Sequence, residues 1–102
     1  MDIKDMQSEV DAWIKSNTPG YWPPLSMLAR LTEEVGETAR ILNHVYGEKR
    51  KKPDEVHNSL EGEFGDLLFT IICMANALNI DLNSAHKKTL EKCDSRDKNR
   101  FK

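Results

Sequence analysis

The chain has 102 residues, of which 38% are hydrophobic and 31% are charged, and its net charge at pH 7 is −2. This length allows one modest core, so we expect a single domain over residues 1–102 that is completed by oligomerisation. The charge gives no general reason to expect nucleic-acid binding. The longest apolar run, from Leu67 to Cys73 and interrupted by Thr70, is too short to cross a bilayer.

Cysteine usage and the N-terminus favour a cytoplasmic location. Cys73 and Cys93 form no CxxC pair, and a single disulfide would be unusual in a well-patterned helical chain. The first residues lack the basic region and the apolar run of a signal peptide. We therefore expect free thiols and a cytoplasmic protein with neither a membrane nor a nucleic-acid partner.

The first predicted element is an amphipathic helix over residues 2–16. Its apolar residues recur at spacings of three and four, and we expect Trp13 to anchor the core. Three prolines and a glycine exclude a helix from residues 17–24. Tyr21 and Trp22 lie in this segment, where an aromatic ring could close the end of a helical bundle or stack on a nucleobase.

The second predicted helix spans residues 25–46 and is ended by Gly47. We expect its core stripe to consist of Leu28, Leu31, Val35, Ala39 and Leu42. Glu34 lies in a neighbouring row of otherwise apolar or small residues, so its carboxylate should be partly desolvated. Glu33 points to another side of the helix and could be an ordinary solvated charge.

A basic loop separates the second helix from the third. Residues 48–55 include four successive basic side chains, which predict a solvated linker or a segment that attracts a polyphosphate. The third helix is predicted over residues 56–79, with Asn58 or Asp54 as its cap. Its second half is apolar nearly all round, which is typical of a helix that is buried on most sides.

The fourth predicted helix has Asp81 as its N-cap and runs from Leu82 to the C-terminus. Lys88, Lys92 and Arg96 share one of its faces because they are four residues apart. We expect this face to be solvent-exposed or, through Lys92 and Arg96, to hold phosphate groups. Together the four segments predict an all-α fold, a four-helix bundle completed by oligomerisation.

A short acidic pattern occurs in both central helices. The two copies read LTEEVGE over residues 31–37 and LEGEFGD over residues 60–66. Each copy places two acids three residues apart on one helix face. The paired acids are Glu34 with Glu37, and Glu63 with Asp66. The second pair has no Lys or Arg three or four residues away, so its ionised form would be costly without a cation.

Four carboxylates on two facing helices predict a magnesium site. Mg²⁺ prefers hard oxygen ligands, and such an ion neutralises phosphate charge and orients an attacking water. Gly36 and Gly65 occupy matching places in the two copies. Because an interior glycine weakens a helix by about 1 kcal/mol, we interpret both as signs that the helices approach closely. A di-iron site would need Glu-x-x-His steps, which neither copy has.

The doubled motif resembles the signature of the MazG family of all-α nucleoside triphosphate pyrophosphohydrolases, which is EExxE, a spacer and then ExxD. Here it stands as EEVGE over residues 33–37, a spacer of 25 residues, and EFGD over residues 63–66. A basic segment over residues 92–101 extends the likeness. The resemblance covers most of the chain from Trp22 onward and is greatest to the short, stand-alone bacterial members.

The resemblance implies a reaction and a ligand set. The reaction is Mg²⁺-dependent hydrolysis of a nucleoside triphosphate between its α and β phosphates, with Mn²⁺ as a substitute ion and non-standard nucleotides as candidate substrates. By motif position, the implied metal ligands are Glu34, Glu37, Glu63 and Asp66. Glu33 occupies the extra acid of the motif and would orient or deprotonate the attacking water.

The resemblance also implies substrate contacts and an assembly. Lys92 and Arg96 would meet the phosphates, and the candidate residues for the base pocket are Trp22, His44 and Asn43. The family forms dimers and tetramers, so we expect a homodimer or a homotetramer. The alternatives are a non-catalytic helical module whose acids bind a basic partner, and a module that binds nucleotides without hydrolysing them.

Overall fold

The structure, a computed structural model, describes residues 1–47 and 59–97 and consists there of four α-helices without a strand. The helices are α1 (Ile3–Asn17), α2 (Pro24–Tyr46), α3 (Leu60–Ala77) and α4 (Leu82–Asp97). Helix α3 packs against both α2 and α1, and α4 packs against α1. The predicted all-α fold is confirmed. The basic loop over 48–55 and the predicted helix ends over 56–58 and 98–102 lie outside the described residues.

Local signals explain where α1 and α2 begin and end. Asp2 and Asp5 form a reciprocal capping box, in which each carboxylate accepts the other's backbone N–H at 2.9–3.0 Å. Helix α2 begins with Pro24, because a missing N–H is harmless in the first turn. Gly47 ends α2, as predicted. A Cβ at this position would lie 2.8 Å from the Asn43 carbonyl oxygen, so only glycine fits.

Side-chain caps also begin α3 and α4. Ser59 caps α3, and its hydroxyl accepts the Gly62 N–H at 2.9 Å. The predicted caps Asn58 and Asp54 lie outside the described residues, and Ser59 takes their place. The predicted N-cap of α4 is confirmed, because the Asp81 carboxylate accepts the Asn83 N–H at 2.9 Å.

The core within one chain lies between α1, α2 and α3. Ile14, Met27 and Cys73 form its buried cluster. Trp13, which we expected in this core, is 52% exposed and instead packs edge-to-face on Phe69 with ring centroids 6.2 Å apart. It lies at the rim because the buried line of α1 is centred on Ile14.

The predicted core stripe of α2 is wrong for a single chain. The buried residues of α2 are Met27, Thr38 and Ile41, so the neighbouring row faces α3. The stripe and one side of α3 instead form what we call the outer apolar residues. These are Leu28, Val35 and Leu42 of α2 together with Phe64, Leu68 and Ile71 of α3, all of them exposed.

The interpretation of the two motif glycines is also wrong. A Cβ added at Gly36 or at Gly65 would meet no atom within 4 Å. The approach of α2 to α3 therefore does not require glycine at either position, because both positions face open space.

A polar side chain of α1 joins the C-terminal end of α3 to the start of α4. Gln7 Nε2 donates to the Asn76 Oδ1 and to the Ile80 carbonyl, and Gln7 Oε1 accepts the Leu82 N–H, each at 2.9 Å. Helix α4 thereby leaves α3 at a bend of 109°, which passes through Asn79 at φ +58°. Among the described helices, no single one is long and apolar enough to cross a membrane. Helices α3 and α4 reach the required length and apolar content only when they are taken together as this bent pair.

Candidate metal centre

Three of the four predicted metal ligands converge where α2 packs against α3. Carboxylate oxygens of Glu34, Glu63 and Asp66 all lie within 4.8 Å of one another. We call these three residues the carboxylate cluster. Glu37, the fourth predicted ligand, is exposed and lies outside this group. The acid-x-x-acid spacing thus brings both acids of the α3 copy into one site, but only one acid of the α2 copy.

Burial differs sharply among the acids of the site. Glu63 is 1% exposed, which makes it one of the largest fully buried side chains in the described part of the protein. Glu34 is half-buried. One turn beyond the cluster, the buried hydroxyls of Thr38 and Thr70 donate to the carbonyls of Glu34 and Asp66 at 2.8 and 2.9 Å. These hydroxyls are satisfied by the backbone, and their small side chains allow α2 and α3 to pack beside the cluster.

The electrostatics of the cluster favour a bound cation. A hydrogen bond to Glu63 is the main reason that the pKa of Glu34 is raised from 4.5 to about 6. Burial and the negative charges of Glu63 and Asp66 raise this pKa further, whereas the charge of Arg30 lowers it. Glu34 therefore keeps its proton to a higher pH than an ordinary glutamate does, and a divalent ion could take the place of that proton.

Metal-free protein should lose stability as the pH rises from about 4.5 to about 6. The folded chain holds the Glu34 proton more tightly than the unfolded chain does. The stabilisation from this proton is therefore fully present below the pKa of Glu34 in the unfolded chain, and it is lost as the pH rises through the pKa of Glu34 in the folded chain. We expect a loss of about 1 kcal/mol, after allowing for the solvent screening of a half-buried group. Urea unfolding in a chelating buffer would measure it. Glu34→Gln should flatten this part of the profile, and an unchanged profile would contradict the assignment.

A cavity lies along the first turns of α2. It has a volume of about 360 Å³ and is lined by Trp22, Ser26, Met27, Ala29, Arg30 and Glu33. We call it the α2 cavity. Glu33, the predicted catalytic acid, is exposed and lines this cavity, and it does not belong to the carboxylate cluster. Arg30 was not among the predicted site residues, although its position four residues before Glu34 was a usable signal.

The two aromatic residues of the α1–α2 connection have different surroundings. Tyr21 packs on the core cluster, and its hydroxyl donates to Asp11 at 2.6 Å and accepts from the Asn76 amide at 2.9 Å. Burial, followed by the bond to Asp11, raises the pKa of Tyr21 to about 12. Trp22 is 43% exposed and lines the α2 cavity. Tyr21 therefore closes the end of the bundle, whereas the Trp22 ring is accessible to a ligand.

The other predicted substrate-binding residues lie elsewhere. Asn43 is exposed and His44 is half-buried, both near the C-terminal end of α2 and outside the lining of the α2 cavity. Lys92 and Arg96 are exposed on α4, which packs against α1. Their roles stay predictions.

Comparisons with known proteins agree on one family. Residues 23–101 match the model of the MazG nucleotide pyrophosphohydrolase domain. The YpjD protein of Bacillus subtilis (strain 168) is 52% identical over 99 residues, which are 97% of this chain and 89% of that protein.

Two solved structures are similar over nearly the whole chain. The first is YPJD from Bacillus subtilis, described as a candidate pyrophosphatase, with a TM-score of 0.83 and 49% identity. That match covers 94% of this chain and 96% of the other. The second is a Bacillus-conserved MazG protein, a nucleotide pyrophosphohydrolase, with a TM-score of 0.79 and 54% identity over 97% of this chain and 96% of the other.

Proposed function

Because the chain belongs to the MazG nucleotide pyrophosphohydrolase family, we propose that it hydrolyses nucleoside triphosphates between the α and β phosphates with Mg²⁺. The observation that carries the proposal is the convergence of Glu34, Glu63 and Asp66 within 4.8 Å. Three hard oxygen donors on two packed helices suit Mg²⁺, and they also suit Mn²⁺ as a substitute.

The geometry of the cluster fits one small divalent ion. Two oxygens on opposite sides of a Mg²⁺ ion lie about 4.2 Å apart, because each bond is about 2.1 Å long. The cluster oxygens, within 4.8 Å of one another, would need to move by only a fraction of an ångström. We propose Glu37 as a fourth ligand, since its exposed side chain can turn toward the ion from the next turn of α2.

The residues divide the chemistry among them. Glu34, Glu63 and Asp66 would hold the ion, which supplies charge neutralisation at the phosphate oxygens and lowers the pKa of a bound water. We propose that Glu33 orients the attacking water and accepts its proton. The water oxygen then forms a bond to phosphorus, and the anhydride bond breaks to release pyrophosphate and a nucleoside monophosphate.

The α2 cavity is our proposed nucleoside site. Its volume of about 360 Å³ lies in the range of small-molecule pockets. The accessible ring of Trp22 offers a stacking surface for the base, and stacking tolerates any base. This arrangement allows nucleotides with non-standard bases among the substrates. The free thiols Cys73 and Cys93 support a cytoplasmic site of action.

A panel of common and modified triphosphates, incubated with Mg²⁺, tests the function. We expect equal amounts of monophosphate and pyrophosphate, measured by phosphorus NMR, and no product in a chelating buffer. Release of orthophosphate would reject cleavage between the α and β phosphates. A melting temperature that does not respond to Mg²⁺, together with no turnover, would favour the helical interaction module. A Mg²⁺-dependent shift and nucleotide binding without turnover would favour a module that only binds nucleotides.

We also propose a homodimer or homotetramer that buries the outer apolar residues. Large exposed hydrophobic side chains recur on both α2 and α3, which is typical of an association surface. Leu68→Lys should shift the protein toward the monomer in sedimentation velocity, because a charge would be buried in the interface. Leu90→Lys, on the exposed side of α4, is the matched control. A monomeric parent protein would reject the assembly.

A further inference from the structure

Arg30 lines the α2 cavity and lies near Glu34 of the carboxylate cluster. It lines the cavity together with Trp22 and Glu33. It also precedes Glu34 by four residues, so the two side chains are neighbours on one helix face. Its positive charge lowers the pKa of Glu34 and opposes the rise in the pKa of Cys73 on α3. The guanidinium therefore acts on both the cavity and the cluster.

The guanidinium of Arg30 is available to a ligand. Among residues 1–47 and 59–97, the Arg30 guanidinium has no salt-bridge partner within 4.0 Å. The Arg30 side chain is exposed. A guanidinium presents several N–H donors in a planar fork that matches two phosphate oxygens at once. Its charge near Glu34 also offsets part of the repulsion between the carboxylates and an anionic substrate.

The order of groups along α2 matches the order of groups in a nucleotide. Helix α2 rises by about 1.5 Å per residue, so about 15 Å separates Pro24 from Glu34. Trp22 lies at the first end of this path and the carboxylate cluster at the second, with Arg30 between them. A base stacked on Trp22 would direct its phosphate chain past Arg30 toward the metal ligands.

We propose that Arg30 binds the phosphate chain of the nucleotide between the base site and the metal centre. This inference rests on the proposed function and assigns it a substrate-binding residue on α2 itself. In the competing interpretation, Arg30 contacts no substrate and only holds the Glu34 side chain in position to bind the metal. The two readings differ in what removal of Arg30 does to metal binding.

The test compares Arg30→Ala and Arg30→Lys with the parent protein and with Lys87→Ala, an exposed control on α4. Mg²⁺ binding without nucleotide and the binding of a triphosphate with a methylene bridge between its α and β phosphates are both measured by calorimetry. For Arg30→Ala we expect about ten- to a hundredfold weaker analogue binding. Mg²⁺ binding should be unchanged or tighter, since a repelling charge is gone. Arg30→Lys should recover part of the analogue affinity.

Each contrary result has one meaning. If the affinity of Arg30→Ala for the analogue is within twofold of the parent's affinity, the inference is overturned and the proposed function is left intact. A parallel loss of Mg²⁺ affinity also overturns it and favours the interpretation that Arg30 positions Glu34. A parent protein that neither binds the analogue nor hydrolyses a triphosphate overturns the proposed function, and the inference fails with it. Circular dichroism of both variants separates these results from misfolding, and Arg30→Lys preserves the charge if Arg30→Ala does not fold.

Discussion

Glu63→Gln should abolish turnover while it stabilises the metal-free protein. Glu63 is 1% exposed and lies in the carboxylate cluster. Its loss removes an anionic ligand, and we expect turnover to fall by at least about a hundredfold, since even changes to groups that support a ligand cost 10–100-fold. Pyrophosphate release at saturating Mg²⁺ measures this effect.

The opposite effect on folding follows from the hydrogen bond and the charge repulsion between Glu34 and Glu63. The amide of a glutamine at position 63 can donate to the Glu34 carboxylate. The substitution also removes one negative charge from a buried position, where an ionised carboxylate is costly. We expect a gain of about 1 kcal/mol, which corresponds to a rise of about 4–8 °C in the melting temperature of a domain of this size. The Mg²⁺-induced rise in melting temperature should disappear.

Glu61→Gln is the matched control for both measurements. Glu61 lies on the same helix, two residues away, and is exposed. We expect it to retain turnover, the metal-induced shift and the parent's stability. Turnover by Glu63→Gln close to that of Glu61→Gln would remove Glu63 from the catalytic centre.

Gln7→Leu should be among the most destabilising substitutions on α1. The Gln7 side chain satisfies the Asn76 amide oxygen, the Ile80 carbonyl and the Leu82 N–H, each at 2.9 Å. Leucine has a similar volume but cannot hydrogen-bond, so all three groups would lose their partner in a part-buried site. Three unsatisfied groups at about 1–3 kcal/mol each would cost about 3–9 kcal/mol, and access of water to the part-buried site lowers the expected loss to about 3–6 kcal/mol. Chemical denaturation would measure it.

Ser8→Leu is the control for this change, because it adds a similar apolar side chain at the next, exposed position of α1. It should alter stability by at most about 0.5 kcal/mol. Near-equal stability of the two variants would show that the polar contacts at the bend between α3 and α4 contribute little.

Periodicity predicted the helices well but misassigned the inner face of α2. Two adjacent rows of that helix are apolar, and a sequence pattern cannot tell which row meets a helix of the same chain. The row with Met27 and Ile41 packs inside, whereas Leu28 and Val35 of the predicted stripe are exposed. Gln7 was not predicted either, because a single buried polar residue has no period.

The site was predictable to the extent that it depends on helix spacing. The acid-x-x-acid step predicted Glu34, Glu63 and Asp66 together, and the structure brings them together. The α2 cavity was not predictable, because its shape depends on the path of the chain from Tyr21 to Pro24. For the same reason, the proximity of Arg30 to both Trp22 and the cluster became visible only in three dimensions.

The open space beside Gly36 and Gly65 has a consequence for laboratory evolution. Alanine at either position would meet no atom within 4 Å of its Cβ and should strengthen its helix by about 1 kcal/mol. A screen for heat resistance alone would therefore favour alanine at both positions. A screen that also rewards turnover would show whether substrate or a neighbouring subunit needs the room that these glycines leave.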